Sequence, residues 1–235
     1  MINQNMSFVD LERFMAYAST QRDVVSKLEL TIDFCKSKDV LDLGCINHGW
    51  ERALALGDEW PHKRIKEAAR SVVGLDIMGD DARELSKRGY NILAGNAEQF
   101  DMGRKFDVVV AGDLIEHLSN IGEFLGSVSR HMRPDSRFLV TTPNPFNIEQ
   151  TMLAIFENRI AVNSQHTVWM DPRVLWETIA RTDLEICGFC WIKTRFTIEV
   201  RGRYLGRLIN ALSRFIMRIR PICNRDYAIV LRKKS

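Results

Sequence analysis

The stretch Val40-Leu-Asp-Leu-Gly-Cys-Ile-Asn-His-Gly49 is a short apolar run that ends in an acidic residue and a glycine turn. Such a run predicts a buried parallel strand followed by a tight turn into a helix. Ligands of open parallel sheets bind at the carboxyl ends of the strands, where the strand order reverses. Gly44 lets the backbone come close to such a ligand. The stretch therefore predicts an α/β fold with a ligand site directly after this strand.

A second strand that ends in an acid points to an adenosyl ligand. Val72-Val-Gly-Leu-Asp-Ile77 contains Asp76, and a carboxylate in that place accepts hydrogen bonds from both hydroxyls of an adenine ribose. A dinucleotide would need the pattern G-x-G-x-x-G to seat its pyrophosphate on a helix N-terminus, and the loop after Gly44 lacks it. Because Asp42 suits an amino-acid ammonium better than a phosphate, the pattern favours S-adenosylmethionine.

Short apolar runs alternate with amphipathic stretches along the chain, which is the pattern of βα units around a parallel sheet. The predicted strands are Val40–Leu43, Ser71–Asp76, Tyr90–Leu93, Phe106–Ala111, Arg137–Thr142, Leu184–Ile192 and Tyr227–Leu231. The predicted helices are Glu51–Ala69, Asp80–Arg88, Asn120–Met132 and Asp171–Arg181. The 235 residues are enough for one α/β domain.

Composition and cysteine usage limit the classes of protein to which the chain can belong. The chain is 46% hydrophobic and 27% charged, which excludes a disordered or collagen-like protein. No stretch approaches the roughly 18 apolar residues of a membrane span, so a cytoplasmic location is expected. The five cysteines are scattered, as in proteins with reduced thiols. Cys187-x-x-Cys190 lies in an apolar, strand-like run, so we expect buried hydrophobic side chains there rather than a redox or zinc site.

The chain resembles the class I S-adenosylmethionine-dependent methyltransferases, and looks closest to the small-molecule type that includes ubiquinone-pathway O-methyltransferases and methyltransferases of glycan gene clusters. The resemblance runs from about Val40 to Ile192. It rests on the ordered motifs Val40–Gly49, Val72–Ile77, Gly95-Asn-Ala-Glu98, Ala111-Gly-Asp-Leu-Ile-Glu-His-Leu118 and Thr142-Pro-Asn-Pro145. It implies a three-layer, Rossmann-like α/β sandwich with a seven-stranded, mostly parallel sheet whose last strand is antiparallel.

The resemblance also implies which residues hold the cofactor. It places Asp42 at the methionine end, Asp76 on the ribose and Ile77 beside the adenine. The full set of implied cofactor-binding residues is Asp42, Gly44, Cys45, Gly49, Asp76, Ile77, Asn96, Ala97 and Asp113. The chain departs from the family in the glycine loop, where Ile46 and His48 stand at positions that are usually glycine.

Catalytic candidates follow the predicted fourth strand. Methyl transfer is an in-line attack on a sulfonium carbon, so an enzyme positions the nucleophile and, for a hydroxyl, removes its proton. His117 titrates near neutrality and is the predicted general base; the alternative is that it packs under the cofactor. The resemblance implies that His166, in the loop Gln165–Pro172, also faces the active site.

Some members of the resembled family bind a divalent metal through a similar set of side chains. The corresponding residues here are Asp113, Glu116, His117 and His166. Two carboxylates and two imidazoles suit Mg²⁺, Mn²⁺ or Zn²⁺, and an ion there would lower the pKa of an acceptor hydroxyl. Metal-free relatives share the Glu-His pair, so both alternatives stay open. His48 and His62 are interpreted either as parts of a substrate lid or as structural histidines.

The C-terminal part of the chain is strongly basic. Residues 191–235 contain 12 lysines and arginines against 2 acidic residues, although the whole chain carries only +3. The segment 203–220 predicts an amphipathic helix, with Arg203, Arg207, Arg214 and Arg218 opposite Leu205, Leu208, Leu212, Phe215, Ile216 and Ile219. Three interpretations of this helix stay open. It packs on the sheet, it lies on anionic lipid, or it binds the phosphates of nucleic acid or of a lipid diphosphate. Because aromatic side chains are not interleaved, nucleic acid is not the expected partner.

These patterns predict one methyltransferase domain over residues 1–235. Its parts are a cofactor-binding core at 36–145, a substrate-side excursion and helix at 146–183, and a basic insertion at 193–226. The predicted reaction methylates a hydroxyl of a sugar, a lipid-linked glycan or a quinone-like small molecule, in the cytoplasm or on the inner face of the membrane. The alternatives are a metal-dependent 2′-O-methyltransferase of RNA termini and a catalytically silent, S-adenosylmethionine-binding membrane adapter.

Overall fold

The structure is a computed structural model that describes residues 2–8, 10–21, 24–192 and 203–234. Its helices are α1 (Leu11–Thr20), α2 (Lys27–Cys35), α3 (Trp50–Ala55), α4 (Pro61–Ala68), α5 (Gly79–Lys87), α6 (Ile121–Arg130), α7 (Ile148–Glu157), α8 (Pro172–Ala180) and α9 (Arg203–Ile219). Its strands are β1 (Val24–Val25), β2 (Asp39–Leu43), β3 (Ser71–Asp76), β4 (Ile92–Ala94), β5 (Phe106–Gly112), β6 (Met132–Pro143), β7 (Leu184–Ile192) and β8 (Asp226–Lys233).

The strands form one mixed sheet in the order β1-β7-β8-β6-β5-β2-β3-β4. β2 pairs in parallel with β3 and β5, and β5 pairs in parallel with β6. β8 runs antiparallel to both β6 and β7. The two-residue strand β1 adds a short edge to β7 that was not predicted. The other seven strands confirm the predicted fold class, a mostly parallel sheet with an antiparallel last strand.

Helices cover both faces of the sheet because side chains alternate along each strand. In β2, Leu41 and Leu43 are buried with α1, α6 and α8 on one face. Val40 is buried with α2 and α4 on the other face. Burying one such side chain contributes about 1.5–3 kcal/mol, so the two apolar layers hold β2 at the centre of the sheet. This arrangement gives the predicted three-layer sandwich.

Several element boundaries differ from the prediction; β6, for example, begins at Met132, five residues before the predicted Arg137. The helix predicted at Glu51–Ala69 is divided into α3 and α4 by a turn at Gly57–Glu59. Pro61 begins α4, a position where proline's missing N–H costs nothing. The strand predicted at Tyr90–Leu93 begins two residues later, because Tyr90 packs its ring against Trp60 with 4.7 Å between ring centroids.

The strand order reverses between β2 and β5. From β2 the chain moves outward to β3 and β4, then crosses over to β5 and β6. The carboxyl ends of β2 and β5 therefore border the crevice where open α/β sheets bind ligands. Gly44, with φ of 68°, follows β2, and a side chain there would come within 2.9 Å of Leu114 Cδ1. Glycine is thus required at the first turn into the crevice.

Cys187 and Cys190 lie buried in β7, as expected for small hydrophobic side chains. Both pack in the apolar layer that also contains α2 and α4. Burial raises the pKa of Cys187 to about 11, so its thiol is neutral. The pair therefore contributes to the core.

The basic amphipathic helix is α9, and it packs mainly on α7 rather than on the sheet. Ile209 of α9 is buried with Ile148, Met152 and Leu153 of α7. Residues 193–202 of the predicted basic insertion lie outside the described residues. Within the described ranges, no helix combines the length and apolar composition needed to cross a bilayer.

Candidate active site

A cavity of about 1140 Å³ opens at the carboxyl ends of β2 and β5. The predicted cofactor residues that line it are Asp42, Gly44, Cys45, Asp76, Ile77 and Asp113. Glu116, His117 and His166 line the same cavity. Ligand pockets usually measure about 300–1,000 Å³, so this one has space for a cofactor and a second molecule. The structure thus brings the predicted cofactor and catalytic residues together.

Three predicted cofactor residues are, among the described residues, outside the lining of this cavity. Gly49, with φ of 123°, is the residue that precedes α3. Asn96 is exposed, and its side-chain oxygen accepts the N–H of Glu98 in a local turn. Ala97 is buried in the core. The structure does not place these three in the cavity, and their contact with a cofactor stays a prediction.

Asp76 is positioned as a double acceptor at the end of β3. It is 6% exposed. Its Oδ2 accepts the N–H of Ile46 at 2.8 Å, and its Oδ1 accepts the N–H of Met78 at 3.1 Å. Burial raises the pKa of Asp76, although these two hydrogen bonds oppose the shift. Each oxygen keeps a further acceptor position, which suits a pair of ribose hydroxyls.

Asp42 is held from behind by His62. His62 Nδ1 lies 2.7 Å from Asp42 Oδ2, within hydrogen-bond distance. His62 has no exposed surface, so the lid interpretation is wrong for this residue. Its bond instead fixes the orientation of the Asp42 carboxylate. Burial, together with Asp42, raises the pKa of the neighbouring Cys45 thiol well above its usual range.

The loop after Gly44 closes without the glycines that the family usually has there. His48 adopts a left-handed conformation with φ of 55°, which costs a non-glycine residue roughly 1–2 kcal/mol. Its N–H donates to the Ile46 carbonyl at 3.0 Å, while the Ile46 side chain is buried. His48 itself is exposed and lines the cavity, so its role in a lid stays a prediction.

Lys27 is a residue of the cavity that sequence reasoning missed. It forms a short ion pair with Asp113 and lies 4.0 Å from Asp226. Burial alone would lower the pKa of Lys27, but the two aspartates raise it, so the ammonium is charged. No local pattern connects Lys27 with Asp113, because 86 residues separate them along the chain.

Glu116 is a buried acid beside the crevice, 1% exposed. Its Oε2 accepts a hydrogen bond from the Thr142 hydroxyl at 3.0 Å, and its Oε1 has no hydrogen-bond partner among the described residues. Burial, together with the nearby charge of Asp113, raises the pKa of Glu116 to about 8. The side chain is therefore mostly protonated at neutral pH, and a cation beside it would favour the ionised form.

His117 and His166 meet in the cavity with 4.7 Å between their ring centroids, edge to face. His117 Nδ1 donates to the carbonyl of Gln165 at 3.2 Å, which leaves Nε2 as the free acceptor of the neutral ring. Burial, together with His117, lowers the pKa of His166. The loop of His166 is held on the strand end because the Thr167 N–H donates to the Glu116 carbonyl at 2.8 Å. Both predicted histidines thus face one region of the cavity.

The predicted metal set is reduced from four residues to three. Glu116, His117 and His166 offer ligand atoms that all lie within 4.8 Å of one another. Asp113 is outside this group, because Lys27 and the Thr141 hydroxyl bind its two carboxylate oxygens. Its role as a metal ligand stays a prediction. Among the described residues, Glu116 Oε1 and His166 Nδ1 lack hydrogen-bond partners, so the residues present fit a cation. One carboxylate with two imidazoles suits Mn²⁺ or Zn²⁺ better than Mg²⁺.

The fold and the site together define an α/β protein that binds an adenosyl cofactor at the strand-order reversal. The family described as "Methyltransferase domain" matches residues 12–187. Since this is more than half of the chain, the protein belongs to the S-adenosylmethionine-dependent methyltransferases, which are methyl-transferring enzymes. The resemblance predicted from the sequence motifs is confirmed.

Curated relatives agree with this assignment, and a solved structure shares the fold. A Mycolicibacterium smegmatis protein named "Probable S-adenosylmethionine-dependent methyltransferase" is 33% identical over 115 residues, 47% of this chain and 40% of that protein. A ubiquinone biosynthesis O-methyltransferase from Rickettsia akari is 23% identical over 153 residues, 63% of this chain and 59% of that protein. The chain thus spans less than two thirds of either relative. The crystal structure of a SAM-dependent methyltransferase from Archaeoglobus fulgidus has the same fold, with a TM-score of 0.54, 22% identity, and coverage of 88% and 91% of the two chains.

Proposed function

We propose that the protein methylates a hydroxyl of a small-molecule or lipid-linked acceptor, such as a sugar, a lipid-linked glycan or a quinone-like ring. The observation that carries this proposal is the position of His117, which lines the same cavity as Asp42 and Asp76. A hydroxyl must lose its proton as it attacks the methyl carbon, so a base beside the cofactor supports O-methylation.

Each group has a defined task in this reaction. Asp76 would accept hydrogen bonds from the ribose hydroxyls, and Asp42 would accept them from the ammonium of the methionine end. These contacts would orient the methyl donor towards the acceptor oxygen. As the O–CH₃ bond forms and the S–CH₃ bond breaks, His117 Nε2 takes the hydroxyl proton. The products are a methyl ether, S-adenosylhomocysteine and a protonated His117, which the Gln165 carbonyl keeps oriented through Nδ1.

His117→Gln is expected to lower the rate of S-adenosylhomocysteine formation by about 10²- to 10⁴-fold, the usual contribution of a general base. The affinity for S-adenosylhomocysteine should stay near the wild-type value, because His117 is not assigned to cofactor binding. The matched control is His48→Gln, the exposed histidine of the same cavity, which should keep most of the activity. A His117→Gln variant with the wild-type rate would show that His117 is not the base.

The assay for this prediction compares acceptors of different chemistry. Product is measured as S-adenosylhomocysteine released with a prenylated catechol, a polyprenyl-linked sugar, a primary amine and a short RNA with a free terminal ribose. Turnover on the catechol or sugar is the expected result. Turnover on the amine or RNA alone would contradict the proposed acceptor class. No turnover on any acceptor, despite cofactor binding, would favour the silent adapter.

A divalent metal at Glu116, His117 and His166 fits the proposed reaction. When bound, the ion would act as a Lewis acid and lower the pKa of the acceptor hydroxyl. The three side chains would supply one oxygen and two nitrogen ligands at the end of β5. The second candidate mechanism is thus metal-assisted transfer in the same cavity.

Metal-free protein is expected to bind Mn²⁺ or Zn²⁺ in a calorimetric titration that needs neither cofactor nor acceptor. His166→Gln should weaken this binding by at least about tenfold, because it removes one of three ligands. His48→Gln is the control, since His48 lines the same cavity but does not belong to the group of three ligands, and it should leave the affinity nearly unchanged. Equal loss in both variants, or no binding by the wild type, would refute the site.

A further inference from the structure

α9 leaves its most apolar stripe in solvent. The stripe consists of Leu208, Leu212, Phe215 and Ile219, which are between 46% and 66% exposed. These positions fall within about 60° of the helix circumference, at 3.6 residues per turn. The face that α9 buries is a different one, which includes Ile209 and Ser213. The helix therefore has one apolar face packed on the protein and a second one without a partner in the described structure.

The neighbouring helix α7 also has exposed apolar side chains. It buries Ile148, Met152 and Leu153 in the cluster that it forms with α9. Ile155 and Phe156, near its C-terminal end, are 67% and 50% exposed. Large apolar side chains gathered on a surface mark an interaction site. We call the exposed apolar side chains of the two helices the α7–α9 face.

A row of arginines flanks the stripe of α9. Arg207, Arg214 and Arg218 fall within about 40° of the helix circumference, centred about 110° from the apolar stripe. All three are exposed, and none forms an ion pair within the part of the chain that the structure describes. Residues 201–225 contain no acidic side chain. An apolar stripe beside uncompensated positive charge is the pattern of a helix that lies in the interface of an anionic membrane.

We propose that the α7–α9 face docks on the surface of an anionic lipid membrane. Lipid headgroups neutralise the arginines while the acyl region takes up the apolar stripe. Nucleic acid would neutralise the arginines but leave the apolar stripe exposed. A second copy of this chain would bring its own arginine row to the same interface, where like charges repel. Of these partners, only anionic lipid matches both the charge and the apolar side chains.

Docking in this orientation would place the cavity near lipid. Asn147 and Gln150 line the cavity from the first turn of α7, and residues 161–163 line it from the loop that follows. The same helix thus contributes to the cavity at one end and to the α7–α9 face at the other. This part of the inference rests on the proposed function, because it assigns the acceptor to molecules that reside in the membrane.

Vesicle co-sedimentation tests the docking without any methyl transfer. The wild type should bind vesicles that contain phosphatidylglycerol and not vesicles of phosphatidylcholine alone. The triple variant R207Q/R214Q/R218Q should bind the anionic vesicles about 100-fold more weakly, since each arginine near such a surface contributes about fivefold. The control K36Q/K38Q/K105Q removes the same charge from exposed lysines near the amino ends of β2 and β5, away from the cavity. It should bind like the wild type.

A second variant tests the apolar stripe. L212S/F215S changes two exposed side chains. This variant should also lose its binding to anionic vesicles, and it should keep the wild-type melting temperature. Equal loss of binding in the lysine control, or no binding by the wild type, would overturn the proposal. Sedimentation equilibrium tests for a dimer. If the wild type were a dimer that L212S/F215S dissociates, and if this variant still bound vesicles like the wild type, the α7–α9 face would be assigned to a second copy of the chain. Because no methyl donor is present, failure here leaves the proposed transfer reaction untouched.

Discussion

Asp76→Asn is expected to weaken S-adenosylhomocysteine binding by about 100-fold, because it removes charge-assisted bonds to both ribose hydroxyls, worth about 3 kcal/mol together. In the wild type, the Asp76 carboxylate accepts hydrogen bonds from the N–H groups of Ile46 and Met78. The asparagine amide would present an NH₂ group to one of these two donors, so one of the two hydrogen bonds would be lost. Calorimetric titration of S-adenosylhomocysteine into both proteins measures the change.

The control for this loss is Asp81→Asn. Asp81 also accepts a backbone N–H near the glycine loop, that of Trp50 at 2.8 Å, but it does not line the cavity among the described residues. Both variants remove one carboxylate that supports the loop, so a purely structural effect would appear in both. Binding lost equally in the two variants, or retained in Asp76→Asn, would reject the assignment of Asp76 to the ribose.

Glu116→Gln is expected to stabilise the metal-free protein by about 3 kcal/mol at neutral pH. Glutamine matches the protonated form of Glu116 in shape and keeps an acceptor for the Thr142 hydroxyl. It cannot ionise in the unfolded chain, so folding no longer requires the uptake of a proton, which Glu116 needs at neutral pH. Thermal or urea unfolding in the presence of a chelator measures the difference.

The pH dependence of this effect has a definite sign. The pKa of Glu116 is about 8 in the folded protein against an ordinary value of 4.5. Between these values the unfolded chain has released the proton and the folded chain still holds it. The protonated Glu116 therefore makes its full contribution to the free energy of unfolding below pH 4.5. This contribution is lost as the pH rises towards 8. The advantage of Glu116→Gln should therefore be near zero at the acidic end and largest at the alkaline end.

An exposed glutamate provides the comparison. Glu59→Gln changes the same chemistry at an exposed position, so its effect on unfolding should be small at every pH. If the advantage of Glu116→Gln were independent of pH, or changed sign, the Glu116 carboxyl would be ionised in the folded protein.

Much of the cofactor half of the site was accessible from local sequence. The run Val40–Gly49 contains a short apolar stretch, and Asp76 ends another. Both strands are observed, β2 ending at Leu43 and β3 at Asp76. The pattern that predicts such a strand involves residues within a few positions of each other, so it can be recognised in the sequence alone. The same applies to α8, which begins directly after Asp171, its predicted N-cap.

Contacts between distant segments could not be read in this way. Lys27 and His62 support Asp113 and Asp42 across 86 and 20 residues, and nothing in the spacing connects them. For this reason the sequence could not show that Lys27 binds the Asp113 carboxylate, although the spacing of Asp113 from Glu116 had suggested a ligand. The side of α9 that is buried was equally hidden, since a helical period shows an apolar stripe without showing which neighbour it meets.

The sequence by itself determined seven of the eight strands, the acids at the ends of β2 and β3, and the amphipathic character of the basic helix. These features follow from backbone preferences and periodicity, which act over one element at a time. The tertiary structure alone decided that Glu116, His117 and His166 converge, that His62 is buried behind Asp42, and that α9 packs on α7. Such outcomes depend on which surfaces of separate elements bury each other, and that choice is made by packing across the whole fold.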